Sequence, residues 1–328
     1  MNITNNSILF SQEQYVSNKR IILSKLLTLI LGLFSLQAVN ASELDYNLVA
    51  EPVGEGTYVF IGSTKYFSKK NGGNIVNTAY IVTNSGVIVI DTGSSYKYGK
   101  QMREYIESTT GLSIIKVFIT HHHPDHFLGN QAYQDVPIAS LSGVIDGIST
   151  QGGAFTDNLY LLLGDWMKET DVYLPTEVIT PGKITIGGHE IEIIALNGHT
   201  DSDMVIYDRT TGVLFAGDLI FHDRTPAVAN ANIQNWLNSI SQLQELDYKY
   251  LIAGHGPVTT DQHAMIQTHD YLSWLHETIE SAIEEGLDMS EALQIELPQS
   301  FQALDILHEE YKRAVLQLYP SMEQAYFN

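Results

Sequence analysis

"ITHHHPDHFLGN", residues 119–130, places four histidines and one aspartate within six positions, directly after the apolar run "IIKVF". Neighbouring imidazoles repel one another when protonated and need partners when buried, so such a cluster requires a compensating interaction. Pro124 ends the preceding strand, because proline cannot continue a hydrogen-bonded ladder. The stretch therefore predicts a functional site at the end of a strand.

The spacing within this cluster separates its side chains into two sets. Side chains alternate along a strand, so we expect His121 and His123 to point to one side and His122 to point away. Asp125 and His126 follow on the turn. One short loop thus offers two sets of candidate metal ligands.

Three more residues of ligand type lie at the ends of other apolar segments. His199 lies in "NGHTDSD", Asp218 in "AGDL" and His255 in "AGHGP". A single histidine at a strand end is more often a packed or solvated residue, but seven such groups at matching positions indicate a metal centre. Imidazoles and carboxylates suit zinc, with iron or manganese as alternatives.

The first forty residues have the pattern of a secretory signal. Lys19, Arg20 and Lys25 precede "LLTLILGLFSL", and "AVNAS" then offers small residues to a peptidase. The uncharged stretch 26–42 is shorter than the roughly 20 residues that a membrane span prefers. We therefore predict a signal peptide over residues 1–41 and a periplasmic protein without stable membrane insertion; an uncleaved anchor is the alternative.

Composition excludes several classes of function. The 328 residues include no cysteine, so no disulfide stabilises the chain and no thiolate acts as nucleophile or ligand. Removing residues 1–41 takes away three bases and one acid, which moves the net charge from −21 to −23. Such a surface repels phosphate backbones, and we expect a small-molecule substrate and no nucleic-acid partner.

The remaining chain alternates between strand and helix patterns, which predicts an α/β fold. The apolar segments "VIVIDTG" (87–93) and "VLFAGDL" (213–219) each end in an aspartate and a glycine, which suggests two similar halves facing each other. Helical spacing predicts helices at 96–109 and 233–246. The predicted strands are 57–62, 77–84, 87–91, 114–119, 137–140, 183–186, 190–196, 204–207, 213–217 and 250–253.

The organisation into domains follows from these patterns. We expect one domain over residues 42–262 and a helical extension over 263–328 that packs on it. Residues 63–74, which include Lys65, Lys69 and Lys70, are predicted to form a polar hairpin, either as a mobile flap over the site or as a plain solvated turn.

"THHHPDH", "GHT", "GD" and "GHG", in that order and with "DTG" upstream, resemble the metallo-β-lactamase-fold hydrolases over roughly residues 50–260. The resemblance implies a four-layer αββα sandwich with a dinuclear metal site at one edge. The resemblance also implies roles for eight residues. The first metal would be held by His121, His123 and His199, the second by Asp125, His126 and His255, and Asp218 would bridge the two. Asp91 would either support the site by hydrogen bonding or have a purely structural role.

This ligand set implies a hydrolase with two Zn²⁺ ions. Two adjacent cations would lower the pKa of a shared water and polarise the oxygen of the bond under attack. Asp125 would take up and pass on the water's proton, and Asp218 would join the two ions. Arg224 and His222, just past the bridge, are candidates for binding a substrate anion, although Arg224 could equally hold its own loop. We expect cleavage of an ester-, thioester-, lactone- or lactam-like bond.

The substrate stays open at this point. Aspartate at 218 and the absence of cysteine exclude the β-lactamase subclasses that use a cysteine ligand. A bridging aspartate is shared with glyoxalase-II-like thioesterases, which hold the carboxylates of glutathione with basic residues. Residues 267–328 carry twelve acids against only Lys312 and Arg313, which argues against that substrate.

A narrower resemblance covers residues 214–258, where "DRTP" and "NWL" resemble the zinc metallohydrolases of the quinoprotein relay system. These are exported proteins linked with periplasmic quinone-cofactor dehydrogenases, so the resemblance implies a dehydrogenase partner. Two alternatives differ in kind from a hydrolase: a metal-bearing relay or binding component with little turnover, and a di-iron redox protein. Metal content separates the second of these from the others.

Overall fold

Twelve strands form two sheets in the computed structural model, which describes residues 44–327. The signal peptide predicted over 1–41 lies outside these residues. The first sheet contains β1 (Glu51–Gly54), β2 (Thr57–Phe60), β3 (Thr78–Thr83), β4 (Gly86–Ile90), β5 (Ile114–Phe118), β6 (Ile138–Ser140) and β7 (Glu177–Val178). The second contains β8 (Gly182–Ile186), β9 (His189–Leu196), β10 (Asp203–Asp208), β11 (Val213–Phe221) and β12 (Tyr250–His255).

Each sheet changes from antiparallel to parallel pairing near its candidate ligands. The first sheet runs in the order β1 to β7, antiparallel up to β4 and parallel from β4 to β7. The second runs β12-β11-β10-β9-β8, and only β11 and β12 are parallel. Because parallel strands end at the same edge of a sheet, Asp91 after β4 and the histidine cluster after β5 lie together.

Seven α-helices accompany the sheets in the described part of the chain. The predicted helices at 96–109 and 233–246 are present within two residues of the expected ends. The helices are α1 (Tyr96–Thr110), α2 (Pro124–Phe127), α3 (Ser142–Leu163), α4 (Ile233–Gln244), α5 (His263–Glu284), α6 (Met289–Ala292) and α7 (Leu307–Phe327), with single 3-10 turns at 130–133, 164–167 and 299–301.

The central strands β10 and β11 of the second sheet are buried on both faces, and alternate side chains along β10 pack into two separate cores. Met204 and Ile206 of β10 pack with the first sheet and α1, whereas Val205 and Tyr207 pack with α4, α5 and α7. The layers therefore follow the order helix, sheet, sheet, helix. This arrangement confirms the predicted αββα fold with C-terminal helices.

Two segments differ from their sequence patterns. Residues 63–74 form a turn-rich loop without strands, closed by the Ser63 amide donating to the Asn74 carbonyl at 3.0 Å. The 22-residue helix α3 lies in a segment where the sequence patterns did not predict a helix. Within residues 44–327, no helix has both the length and the apolar content needed to span a membrane.

Candidate metal centre

The fold brings together all seven side chains that the sequence marks as candidate ligands. They form two groups, and within each group the potential ligand atoms lie within 4.8 Å of one another. The first ligand group is His121, His123, His199 and Asp218, and the second ligand group is Asp125, His126 and His255.

Irregular strand ends aim these side chains into one place. The histidine cluster follows β5, with Asp125 and His126 on the single turn of α2. The pairing of β11 with β12 shifts register around Gly217, whose φ is +53°. A shift of this kind rotates the strand locally, and here it turns Asp218 toward His255 on the neighbouring strand.

The Asp218 carboxylate lies between the two ligand groups. Its Oδ2 is 3.4 Å from His199 Nε2 and 3.8 Å from His121 Nε2 in the first group. The same oxygen is 3.2 Å from His255 Nε2, and Oδ1 is 3.1 Å from His126 Nε2. Two ligands of one tetrahedral zinc lie about 3.4 Å apart, so these separations suit shared coordination.

Unpartnered polar atoms show that the donor set fits a cation. His121 Nε2, His126 Nε2 and Asp218 Oδ1 are buried and have no hydrogen-bond partner among the described residues. Burying such atoms without partners is costly, and coordination of a divalent cation would satisfy them. Imidazole nitrogen and carboxylate oxygen together match the ligand preferences of zinc.

Asp91 fixes the orientation of His126. Its Oδ2 lies 2.7 Å from His126 Nδ1, which places the ring proton on Nδ1 and leaves Nε2 free as a ligand. Both the amide and the hydroxyl of Thr120 donate to the same carboxylate at 2.8 Å. Asp91 has a φ of +57°, a conformation that non-glycine residues adopt at a cost, often at functional sites.

In His255 and His123, the ring nitrogen that faces away from the candidate centre also has a hydrogen-bond partner. His255 Nδ1 donates to the Ile75 carbonyl at 2.6 Å, so its Nε2 faces Asp218. His123 Nε2 lies 2.9 Å from Asn230 Oδ1, and its Nδ1 lies 2.8 Å from His199 Nε2. Sequence reasoning missed Asn230 because it lies in a loop without a ligand-like pattern.

The electrostatic state of the side chains suits metal binding. Burial, with His126 nearby, holds the pKa of His121 well below its usual range, and burial does the same for the pKa of His199. Burial alone would lower the pKa of His126, but the surrounding carboxylates, led by Asp218, raise it well above its usual range. Burial alone would raise the pKa of Asp218, but His255 and His126 hold this pKa well below its usual range. A cation would take the place of the proton that His126 otherwise holds.

Two glycines allow the backbone to approach the site. A Cβ on Gly254 would lie 1.9 Å from Asp218 Oδ1, so any side chain there would displace the carboxylate. A Cβ on Gly198 would lie 2.3 Å from the Trp236 Cα, which explains the glycine before His199.

The two candidate substrate-binding residues contact the protein itself. Arg224 is buried, with its Nη1 against His255 Nδ1 and its Nε without a partner among the described residues. His222 Nδ1 lies 2.8 Å from the Pro257 carbonyl. Their role toward a substrate stays a prediction.

Comparison with known proteins agrees with this geometry. Residues 71–255 match the family model of the metallo-beta-lactamase superfamily, and the chain belongs to this superfamily. A metallo-beta-lactamase type 2 from Elizabethkingia meningoseptica is 23% identical over 253 residues, covering 75% of this chain and 93% of that protein. A hydroxyacylglutathione hydrolase from Cyanothece sp. is 25% identical over 138 residues, covering 40% of this chain and 46% of that protein.

Solved structures show the same fold. A metallo-beta-lactamase from Pontibacter korlensis superposes with a TM-score of 0.58 at 20% identity, covering 69% of this chain and 99% of that one. A metallo-beta-lactamase from Hirschia baltica superposes with a TM-score of 0.56 at 17% identity, covering 69% of this chain and 97% of that one. The homologues are metal-dependent hydrolases, so the predicted superfamily and enzyme class are confirmed.

Proposed function

We propose that this protein is a dinuclear zinc hydrolase that cleaves an ester-, thioester-, lactone- or lactam-like bond in a small molecule. The observation that carries the proposal is the Asp218 carboxylate, which lies 3.1 to 3.8 Å from imidazole nitrogens of both ligand groups. In this proposal one ion is held by His121, His123 and His199, the other by Asp125, His126 and His255, and Asp218 is shared.

When bound, two such cations supply Lewis acidity that activates water and polarises a carbonyl. The chain's own residues provide orientation and proton transfer. Asp91 and the Ile75 carbonyl hold the rings of His126 and His255 with their Nε2 atoms inward. Asp125 Oδ2, 3.5 Å from His255 Nε2, is a carboxylate at the same centre that can accept a proton.

The acidic surface narrows the class of substrate. The net charge of −21 and the twelve acidic residues of 267–328 repel anions, which argues against a polyanionic substrate. A relative is named hydroxyacylglutathione hydrolase, and Asp218 in place of a cysteine ligand supports a thioesterase as the second candidate. The acidic C-terminal segment supports a β-lactam or lactone in preference to a glutathione thioester.

We further propose that the enzyme works in the periplasm, alongside a quinoprotein dehydrogenase. The support is the signal-like sequence of residues 1–41 and the resemblance of residues 214–258 to the quinoprotein relay hydrolases. Fractionation of the native host and N-terminal sequencing of the purified protein test this; an intact N-terminus in the cytoplasmic fraction would exclude it.

Metal analysis of the purified protein, paired with hydrolysis assays on a β-lactam, a thioester and a lactone, tests the proposed reaction. We expect near two zinc ions per chain, both lost together with activity in Asp218→Ala. The substrate that is turned over selects the subgroup. Two irons per chain, or full zinc content without turnover, would reject the hydrolase and favour redox or relay function.

A further inference from the structure

One of the five candidate histidine ligands lacks a hydrogen-bond partner on its outer ring nitrogen, which faces away from the candidate centre. In the other four histidines this nitrogen lies 2.6 to 3.1 Å from an oxygen of Ile75, Asp91, Thr120 or Asn230. His199 Nδ1 is buried and has no partner within the described part of the chain. A buried polar atom without a partner requires a compensating interaction, so the ring of His199 must be held in another way.

Two aromatic rings lie against His199 in place of such an oxygen. The indole of Trp236 on α4 meets the His199 ring edge to face, with ring centres 4.9 Å apart and an interplanar angle of 69°. The ring centre of Phe221 on β11 lies 5.9 Å from that of His199. Edge-to-face contacts are favourable, and aromatic faces also accept weak hydrogen bonds from N–H groups. The two aromatic rings therefore support the His199 ring where the oxygen is missing.

The indole of Trp236 has a fixed orientation. Trp236 is fully buried, and its Nε1 donates to the Leu219 carbonyl at 2.8 Å. This bond ties α4 to β11, the strand that carries Asp218. Because the bond restricts rotation of the indole, the ring presents a fixed surface to His199.

Hydrogen bonds also hold the backbone before His199 on the same helix. The Asn232 amide, at the start of α4, donates to the Gly198 carbonyl at 2.8 Å. The Ser239 hydroxyl, further along α4, donates to the Asn197 carbonyl at 2.6 Å. The backbone of the ligand and the indole are thus held together by contacts that do not involve a metal ion.

We propose that Trp236 is a positioning residue of the candidate metal centre, whose indole orients His199 with its Nε2 toward His123 and Asp218. His199 Nε2 lies 2.8 Å from His123 Nδ1 and 3.4 Å from Asp218 Oδ2. The inference rests on the proposed dinuclear function, because Trp236 acts only through a metal ligand. The central residue of the "NWL" sequence at 235–237 thereby has a role at the centre.

Loss of the indole should weaken the binding of one of the two ions. Without the ring contact His199 adopts other rotamers, and the apparent affinity falls with the fraction of protein in which Nε2 faces the centre. An aromatic pair shifts such an equilibrium about two- to tenfold. Trp236→Leu should therefore weaken binding of the first ion by this factor. The second ion should bind as before, because Asp91 and Ile75 hold the histidines of the second ligand group.

Titration of the full-length protein with Co²⁺, after removal of bound metal by a chelator, measures this effect without a substrate. The visible spectrum of Co²⁺ depends on its coordination number and geometry, so it reports on the ligands of each ion. In Trp236→Leu we expect one of two binding steps to weaken about two- to tenfold, with a changed spectrum for that step. Trp236→Phe keeps an aromatic ring beside His199 but lacks the indole N–H, so it should restore the affinity while still lowering thermal stability.

The matched control is Trp274→Leu. Trp274 also lies in an aromatic cluster, with ring centres 5.4 Å from Phe301 and 5.6 Å from Tyr311, but this cluster is among the C-terminal helices. Its replacement should lower stability in urea unfolding and leave both Co²⁺ binding steps unchanged. If Trp236→Leu does not fold, Trp236→Met, whose flexible side chain adapts to the space, takes its place with the same expected loss of affinity.

Three results would overturn the role of Trp236. These are unchanged Co²⁺ binding in Trp236→Leu, equal weakening of both steps, and a loss in Trp236→Phe as large as in Trp236→Leu. Failure of the hydrolase proposal would be seen separately. Wild-type protein that binds two ions but turns over no ester-like substrate would reject catalysis, while the Co²⁺ titration would still decide whether Trp236 positions His199.

Discussion

Replacing Asp91 by asparagine should weaken metal binding at the second ligand group. Three donors converge on this carboxylate: the Thr120 amide at 2.8 Å from Oδ1, and the Thr120 hydroxyl and His126 Nδ1 at 2.8 and 2.7 Å from Oδ2. In Asp91→Asn one oxygen becomes an NH₂ group. If the NH₂ group faces the Thr120 amide, two N–H donors point at each other. If it faces His126 Nδ1 instead, this nitrogen must accept, so the ring proton moves to Nε2 and blocks the atom that would bind the metal.

The expected loss of zinc affinity follows from this mismatch of donors and acceptors. A buried donor left without its acceptor costs about 1–3 kcal/mol. Loss of the partner of a ligating histidine weakens metal binding about 10- to 100-fold, equivalent to about 1.4–2.7 kcal/mol, and the two values agree. Zinc affinity measured by chelator competition should fall by this factor, and activity should recover in part at saturating zinc.

The chain supplies a closely matched control. Asp208 is fully buried and accepts from His189 Nδ1 at 2.8 Å, the Thr210 amide at 3.0 Å and the Thr211 hydroxyl at 2.7 Å. Asp208→Asn should lower thermal stability to a similar extent and leave zinc affinity unchanged. Wild-type zinc affinity in Asp91→Asn, or an equal loss in both variants, would refute the role assigned to Asp91.

Further predictions concern pH and backbone packing. Burial, with His123 nearby, lowers the pKa of His122 to about 4, so the unfolded chain binds a proton that the folded chain does not, and stability falls as pH decreases from about 6.5 to 4. His122→Gln should reduce that loss by about 2 kcal/mol in urea unfolding at pH 4.5 relative to pH 7. Gly254→Ala, whose Cβ would lie 1.9 Å from Asp218 Oδ1, should lose metal by elemental analysis and cost about 1–3 kcal/mol. Gly153→Ala, at an exposed helical position with no atom within 4 Å, should instead stabilise by about 0.5–1 kcal/mol; metal loss there as well would contradict the steric explanation.

Six of the seven candidate ligands could be placed from sequence because they lie at or after the end of an apolar strand, whereas Asp218 lies within β11, which extends beyond its predicted end at residue 217. A strand has a visible period, and its end marks a position at the edge of a sheet, so the geometry of His199 or His255 follows from local pattern. The groups that orient those ligands leave no such pattern. Asn230 reaches His123 across 107 positions of the chain, and its surrounding loop carries no periodic signal.

The contacts between the C-terminal extension and the loop 63–74 could not be predicted from the sequence either. The predicted helical extension over residues 263–328 does contain helices, but Lys65 and Asp305 are 240 positions apart. Each is an ordinary charged residue on a surface, and nothing local to either one specifies the other. For the same reason the sequence left open whether residues 63–74 form a mobile flap or a solvated hairpin, because the conformation of this loop depends on distant side chains such as Asp305 and Trp166.

The dispersal of the metal centre along the chain has a consequence for its assembly. Its supporting and candidate ligating groups begin at Ile75 and end at His255, on segments of both sheets that meet only when the sheets are paired. During synthesis, no shorter segment holds the second ligand group complete, because His255 emerges last. Capture of a metal ion at this candidate centre would therefore come late, after long-range pairing, and a free divalent cation at 100 times its dissociation constant would stabilise the finished fold alone by about 2.7 kcal/mol per site. Occupancy of the candidate site would thus report that the strands of both sheets have paired.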